Sequence, residues 1–132
     1  MAKNTMTLKL DKQFTITKAK LRRIKLRDWT TLLDLYGRKG VFLLSENTPR
    51  DSGETSKSWS YTIGKTGKDS YEIVWSNSNV KSGYFNVALG IQYGHGTRGG
   101  GYVEGIDYIN PSIQKAFADM VTALWREVSY LL

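Results

Sequence analysis

The sequence contains no cysteine and a single histidine among its 132 residues. Without thiols there is no disulfide framework and no thiolate zinc site, which fits a protein that folds in the cytoplasm. The lone histidine and the scattered carboxylates give no cluster with metal-ligand spacing. The sequence therefore predicts no metal and no cofactor.

Long apolar runs are also missing. No stretch approaches the roughly 20 apolar residues of a membrane-spanning helix. The first residues, Met1 to Thr5, lack the apolar core of a signal peptide. We expect no membrane partner. The length fits one domain, residues 1–132, which we divide into a basic N-terminal segment, 1–27, and a core over 28–132.

Acidic residues are absent between Lys12 and Arg27, where seven basic residues accumulate. The 12 other basic residues balance all 12 acids, so this segment carries the whole net charge of +7. We expect this segment to be a solvated face or to contact an acidic partner, and we rank direct binding to nucleic-acid phosphates below these two roles. The predicted basic patch comprises Lys18, Lys20, Arg22, Arg23, Lys25 and Arg27.

Hydrophobic periodicity predicts three helices and an N-terminal edge strand. The strand covers Thr5 to Leu10, and a short basic helix lies within 14–25. A central helix begins after Asp28 as its N-cap. Its apolar face comprises Trp29, Leu32, Leu33, Tyr36, Leu43 and Leu44. Gly37 and Gly40 lie close to that face, where we expect close packing or a bend.

The C-terminal helix has the clearest signal. Asn110 is its predicted N-cap, and Pro111 suits the first turn. Apolar residues then follow at intervals of three or four, namely Ile113, Phe117, Met120, Val121, Leu124, Trp125 and Val128. An amphipathic helix of this kind needs a sheet or another helix to cover its apolar face.

Three segments between these helices alternate apolar and polar residues, at 59–63, 71–76 and 85–93. Alternation is typical of strands with one buried face, and the short links between the segments favour antiparallel pairing. The predicted fold is therefore α+β, a small antiparallel β-meander packed against a central helix and a long C-terminal helix.

The segment from Tyr93 to Pro111 contains six glycines within a dozen residues. Ordering glycine costs more entropy than ordering any other residue, and the apolar flanks argue against a solvated linker. We interpret it as a contact loop that a neighbouring subunit orders. A catalytic role for His95, oriented by Glu104 or Asp107, is a further hypothesis, although a hydrogen-bonding loop histidine is the commoner case.

Three short motifs follow one another along the chain: Pro49-x-Asp51-Ser52-Gly53-x-Thr55-x-x-Ser58-Trp59, Gln92-Tyr93-Gly94-His95-Gly96-Thr97 and Asn110-Pro111. The first is similar to a P-x-D-T-G-x-L-x-x-S signature, the second resembles an E-Y/F-G-T element, and the third resembles the start of a proline-started final helix. Together these motifs resemble the tailed-phage tail-completion (head–tail joining, neck) protein family. The likeness covers about 28–132. Gln92 stands where the family has an acid, and His95-Gly96 resembles an insertion.

The resemblance implies a non-enzymatic virion protein of the neck or tail, assembled in the host cytoplasm into a ring that is commonly six-fold in the family. Its partners would be further copies of itself, the neighbouring connector and tail-tube proteins, and genomic DNA in passing. The expected subunit contacts are Arg50, Asp51, His95, Thr97, Arg98, Tyr102, Glu104 and Asp107. The alternatives are a small basic nucleic-acid-binding protein and a small hydrolase or nuclease that uses His95.

Overall fold

The computed structural model describes residues 3–9, 18–49, 53–68 and 70–131, with only the backbone described for 3–9 and for residues 18, 21, 25 and 26. The elements in chain order are β1 (Lys3–Lys9), α1 (Lys18–Leu26), α2 (Thr30–Asn47), β2 (Trp59–Lys65), β3 (Ser70–Asn77), β4 (Val80–Lys81), β5 (Phe85–Asn86), α3 (Val87–Tyr93), β6 (His95–Gly96), β7 (Tyr102–Val103) and α4 (Ile109–Leu131). The fold is α+β, as predicted.

The largest sheet has three antiparallel strands in the order β1-β3-β2. Its register pairs Tyr61 with Trp75 across β2 and β3, and Ile73 with both Ile63 and Met6. The hairpin of β2 and β3 and the N-terminal edge strand are confirmed. The sheet's third strand is thus β1 rather than a later segment.

The prediction of a strand over 85–93 is wrong. Only Phe85 and Asn86 are extended, and Val87–Tyr93 forms the helix α3. The side chain of Asn86 accepts a hydrogen bond from the Leu89 amide, at 3.2 Å, and so caps the helix. The predicted strand would have buried the larger apolar residues of this segment. Helix α3 instead buries the residues between them, namely Ala88, Gly90 and Gln92.

Helix α2 lies between the sheet and α4 and contacts both. The N-cap residue of α2 is Trp29, so Asp28 lies one residue before the capping position. The Asp28 carboxylate accepts a hydrogen bond from the Thr30 amide at 3.0 Å. Gly37 and Gly40 are buried beneath the rings of Tyr61 and Trp75, which confirms the expected close packing.

Helix α4 begins at Ile109, one residue before the predicted cap, with Pro111 in its first turn. Its buried stripe comprises Ile109, Ser112, Ala116, Met120, Leu124 and Val128. The side-chain Nδ2 of Asn47 donates to Ser112 Oγ at 3.0 Å, which ties the end of α2 to the start of α4. Phe117 packs against the core at its margin.

Candidate subunit interface

Helix α3 leads directly into the glycine-rich segment. A Cβ at Gly90 would lie 2.4 Å from Phe85 Cζ, so only glycine lets the Phe85 ring pack on the helix. The helix ends at Gly94, whose φ of 82° and ψ of 166° belong to a region that is essentially confined to glycine. The chain can therefore turn sharply into β6.

The segment after Gly94 is a β-hairpin within a single chain. His95 pairs with Val103, and Gly96 pairs with Tyr102. At the tip the Thr97 amide donates to the Gly101 carbonyl at 2.9 Å. These internal hydrogen bonds give the loop a defined conformation within its own chain, and the contribution of a neighbouring subunit to its order stays a prediction.

Gln92 joins this hairpin region to α4. Its side-chain oxygen accepts from the amides of Tyr108 and Ile109, at 3.0 and 2.8 Å. These amides begin α4 and are among the donors that a helix leaves without intrahelical partners. Its side-chain nitrogen donates to Asp107 Oδ1 at 2.7 Å. A buried glutamine on α3 thus caps α4 from outside that helix.

Tyr108 provides a second link between α3 and α4. Its hydroxyl donates to the Ala88 carbonyl at 2.8 Å. Burial raises the pKa of the Tyr108 phenol well above its ordinary value, so the hydroxyl keeps its proton and its donor role. The loop that leads into α4 is therefore held at both Gln92 and Tyr108.

This scaffold exposes large apolar side chains. We define the hairpin surface as Tyr84, Tyr93, Tyr102, Val103 and Ile106, whose exposed fractions lie between 47% and 84%. A cleft of about 490 Å³ lies beside Tyr84, lined also by Val80, Phe85 and Leu89. The hairpin surface thus combines a firm backbone with uncovered aromatic rings.

The sequence-predicted contacts divide into exposed and structural residues. Arg98, Tyr102 and Glu104 are exposed on the hairpin, and Thr97 organises its tip. Asp107 is exposed as well, but its carboxylate accepts hydrogen bonds from Gln92 and from Asn110, the latter at 3.0 Å. Arg50 and Asp51 lie outside the described residues.

His95 is half-buried beside Phe85, with ring centroids 5.4 Å apart. Its Nδ1 lies 3.4 Å from the Gly90 carbonyl oxygen. The carboxylate of Asp107 is committed to Gln92 and Asn110 rather than to this imidazole. Among the described residues no three His, Asp or Glu side chains gather into a metal-binding group. The geometry is that of a packed loop histidine.

The basic segment is partly a helix that packs on α4. Ile24 of α1 is buried, and its carbonyl accepts from the Trp29 indole at 3.1 Å. Arg27 forms an ion pair with Glu127 at 2.9 Å and stacks over the Trp29 ring. Within the predicted patch Arg22 and Arg23 are exposed and Lys20 is half-buried, whereas the side chains of Lys18 and Lys25 fall outside the described set.

Sequence reasoning missed exposed apolar residues on two other elements. Tyr84 lies in the turn between β4 and β5, and Leu35 and Phe42 lie on the outer side of α2 at 58% and 62% exposure. A signal was present for the last two, since neither belongs to the apolar face predicted for that helix. Large apolar residues outside a core face are candidates for contact with a partner.

No protein-family model matches the chain, and neither a curated protein nor a solved structure matches it. Over the part of the chain that the structure describes, no helix is both long and apolar enough to cross a membrane.

Proposed function

We propose that this chain is a virion structural protein, a neck or tail-completion subunit that forms a homo-oligomeric ring at the head–tail junction or tail end of a tailed phage. The observation that carries the proposal is the hairpin surface. Monomeric soluble proteins rarely expose large apolar patches, and tyrosine is enriched where proteins meet. The five exposed apolar side chains of the hairpin surface therefore favour an assembled subunit over a monomer.

The positions that carry the family resemblance support the same proposal. Gln92, from the Gly-Thr element, and Asn110, from the start of the final helix, both hydrogen-bond Asp107. Residues of two motifs that are separate in the chain are thus linked through the Asp107 carboxylate. This link would fix the direction in which the hairpin surface faces a neighbour.

The proposed partners follow from the same resemblance. The subunit would meet further copies of itself in a six-fold ring and the connector and tail-tube proteins on either side, with genomic DNA passing through. It would assemble in the host cytoplasm and remain in the virion. No enzymatic step is part of the proposal.

The test combines the mass of the purified protein in solution with imaging of assembled particles. We expect a ring of this subunit in particles, and loss of that ring when Tyr102 and Val103 are both changed to Ser. Tyr130→Ser is the matched control, because Tyr130 is 88% exposed and lies roughly 30 Å along α4 from Ile109, at the far end of the helix from the hairpin segment. Particles that are complete without the protein, or rings that tolerate the double variant, would contradict the proposal.

Nucleic-acid binding remains the second candidate, and exposed Arg22 and Arg23 favour it. Phosphate-dominated binding loses orders of magnitude in affinity between low and moderate salt. We therefore expect a salt titration with duplex DNA to separate the two functions. Strong binding that disappears with salt, and that Arg22→Gln/Arg23→Gln abolishes, would favour the nucleic-acid function.

A further inference from the structure

The outer side of α2 carries an ordered stripe of exposed residues. Leu35, Arg38, Phe42 and Glu46 follow one another at intervals of three or four, so they share one face of the helix. Phe42 lies midway between Arg38 and Glu46 along the helix. The Cα atoms of these two charged residues are about 12 Å apart along the helix axis, since each residue rises about 1.5 Å. We call these four residues the α2 stripe.

The hairpin shows a similar order of chemistry. Arg98 lies at the tip, Tyr102 and Val103 form β7, and Glu104 follows directly. Three residue-to-residue steps of extended chain lead from Gly101 to Glu104 and span about 10 Å. Because strand side chains alternate, Tyr102 and Glu104 share one face of the hairpin and Val103 points to the other. Hairpin and stripe therefore both place a basic residue and an acid at either end of an apolar centre.

We propose that the hairpin of one subunit lies along the α2 stripe of the next copy, which deepens the proposed ring function and rests on it. In the antiparallel alignment Arg98 meets Glu46, and Tyr102, which shares one face of the hairpin with Glu104, covers Phe42. Glu104 then meets Arg38. Arg38 already pairs with Asp34 at 2.7 Å, but its side chain is 72% exposed and guanidinium has five donors, so a second carboxylate can bind.

A second copy is the occupant because one chain carries both complementary surfaces. A ring requires a head-to-tail contact between two different surfaces of each subunit. Hairpin against hairpin, or stripe against stripe, would also bring opposite charges together. Such isologous contacts close after two copies and do not continue around a ring.

The absence of cysteine permits a direct test by cross-linking. Subunits carrying Phe42→Cys are mixed with subunits carrying Tyr102→Cys, oxidised gently, and treated in parallel with a short thiol cross-linker. A disulfide requires Cα atoms about 4.4–6.8 Å apart, so a mixed dimer reports close contact. We expect the mixed product, and a ladder of covalent oligomers when one chain carries both changes. Thr122→Cys, exposed on α4, replaces Phe42→Cys in the control and should give no product with Tyr102→Cys.

Charge reversal gives an independent readout that does not need a covalent bond. Arg98→Glu and Glu46→Arg should each weaken association on the order of tenfold, and a subunit carrying both changes should recover it. Both side chains are exposed, so neither change disturbs the core.

The outcomes separate this inference from the proposed function. Rings that form while the mixed cross-link and the charge effects are absent would overturn the hairpin-to-stripe contact alone. Products containing only Phe42→Cys or only Tyr102→Cys would show isologous pairing and overturn it as well. A protein that forms no ring in solution or in particles would overturn both.

Discussion

The indole nitrogen of Trp75 donates a hydrogen bond to the backbone carbonyl of Gly37, 2.9 Å away, across the contact between the sheet and α2. Trp75 is only 1% exposed, and its ring lies against Gly40 one turn further along the helix. The large aromatic side chain of Trp75 therefore packs on Gly40 and hydrogen-bonds the backbone of α2 one turn earlier. Because helix and sheet approach so closely here, this contact fixes the position of the central helix.

Gly40→Ala should destabilise the protein although alanine is the better helix former. The new Cβ would lie 2.4 Å from Trp75 Nε1, and a buried indole has no free space into which it can move. Overpacking of about 1–3 kcal/mol should exceed the helix-propensity gain of about 1 kcal/mol. The measurement is the free energy of unfolding in urea.

Gly64→Ala is the matched control, since its Cβ would meet only the Glu72 carboxylate at 4.0 Å. We expect its effect to stay within about 0.5 kcal/mol. A Gly40→Ala protein as stable as the control would show that the sheet and α2 are not in tight contact.

Gly94→Ala should displace the hairpin while sparing the core. The backbone conformation at this position costs about 1–3 kcal/mol for other residues. The added Cβ would also lie 2.7 Å from the Val103 carbonyl oxygen. We expect faster amide hydrogen exchange at Thr97 and Ile106, whose amides donate within the hairpin region, and a loss of ring assembly.

Gly99→Ala provides the comparison, because nothing lies within 4 Å of its Cβ position. Its exchange rates and assembly should match the wild-type protein. If both variants assemble normally, the hairpin conformation is irrelevant to assembly and the proposed interface is wrong.

Residue periodicity predicted those parts of the fold where the apolar side chains face the core. The alternation at 59–63 and 71–76 and the long stripe of α4 belong to this class. The same alternation misled at 85–93, where Gly90 admits the Phe85 ring and Asn86 caps a helix. No local pattern reports a contact between a glycine and a ring five residues earlier.

The candidate interface could be predicted only in part for a related reason. The glycine spacing located the hairpin, and Arg98, Tyr102 and Glu104 are exposed on it. The structural role of Asp107 depends on Gln92, 15 residues earlier in the chain. Contacts at that separation arise from tertiary packing, which short sequence motifs do not encode.

The ion pair between Lys39 and Asp119 joins α2 to α4 and should be visible in an acid titration. The hydrogen bond from the Lys39 ammonium holds the pKa of the Asp119 carboxyl below its usual value of 3.8. An acid with a lowered folded-state pKa stabilises the fold above its unfolded pKa, and this contribution disappears as the pH falls through the folded pKa. The window therefore lies below about pH 4.

Lys39→Gln should raise the pKa of Asp119 towards 3.8, as measured by carbon NMR of the carboxyl groups. Asp28 is the internal control, because the hydrogen bond from the Thr30 side chain lowers its pKa and is untouched by the change. The effect on stability should be small, since both side chains of the pair are more than a third exposed. An unchanged Asp119 titration would mean that the two helices do not meet at this ion pair.

The basic residues of α1 and Arg27, which follows the helix directly, should divide into two groups with different effects. Arg22 and Arg23 are exposed, and their replacement by Gln should change the free energy of unfolding by less than about 0.5 kcal/mol. Arg27→Gln should cost more, because Arg27 joins α1 to α4 through Glu127 and covers the Trp29 ring. Thermal unfolding of the three proteins, wild type included, checks this order.

If the basic patch meets an acidic neighbour in the particle, the variants should affect the association rate in the opposite order to their effect on stability. Long-range attraction depends on summed charge and weakens with salt, so Arg22→Gln/Arg23→Gln should slow association at low ionic strength and match the wild type at high ionic strength. Arg27 already faces Glu127, so Arg27→Gln should alter the rate less. Equal rates for all three proteins at low salt would identify α1 as a solvated face that takes no part in assembly.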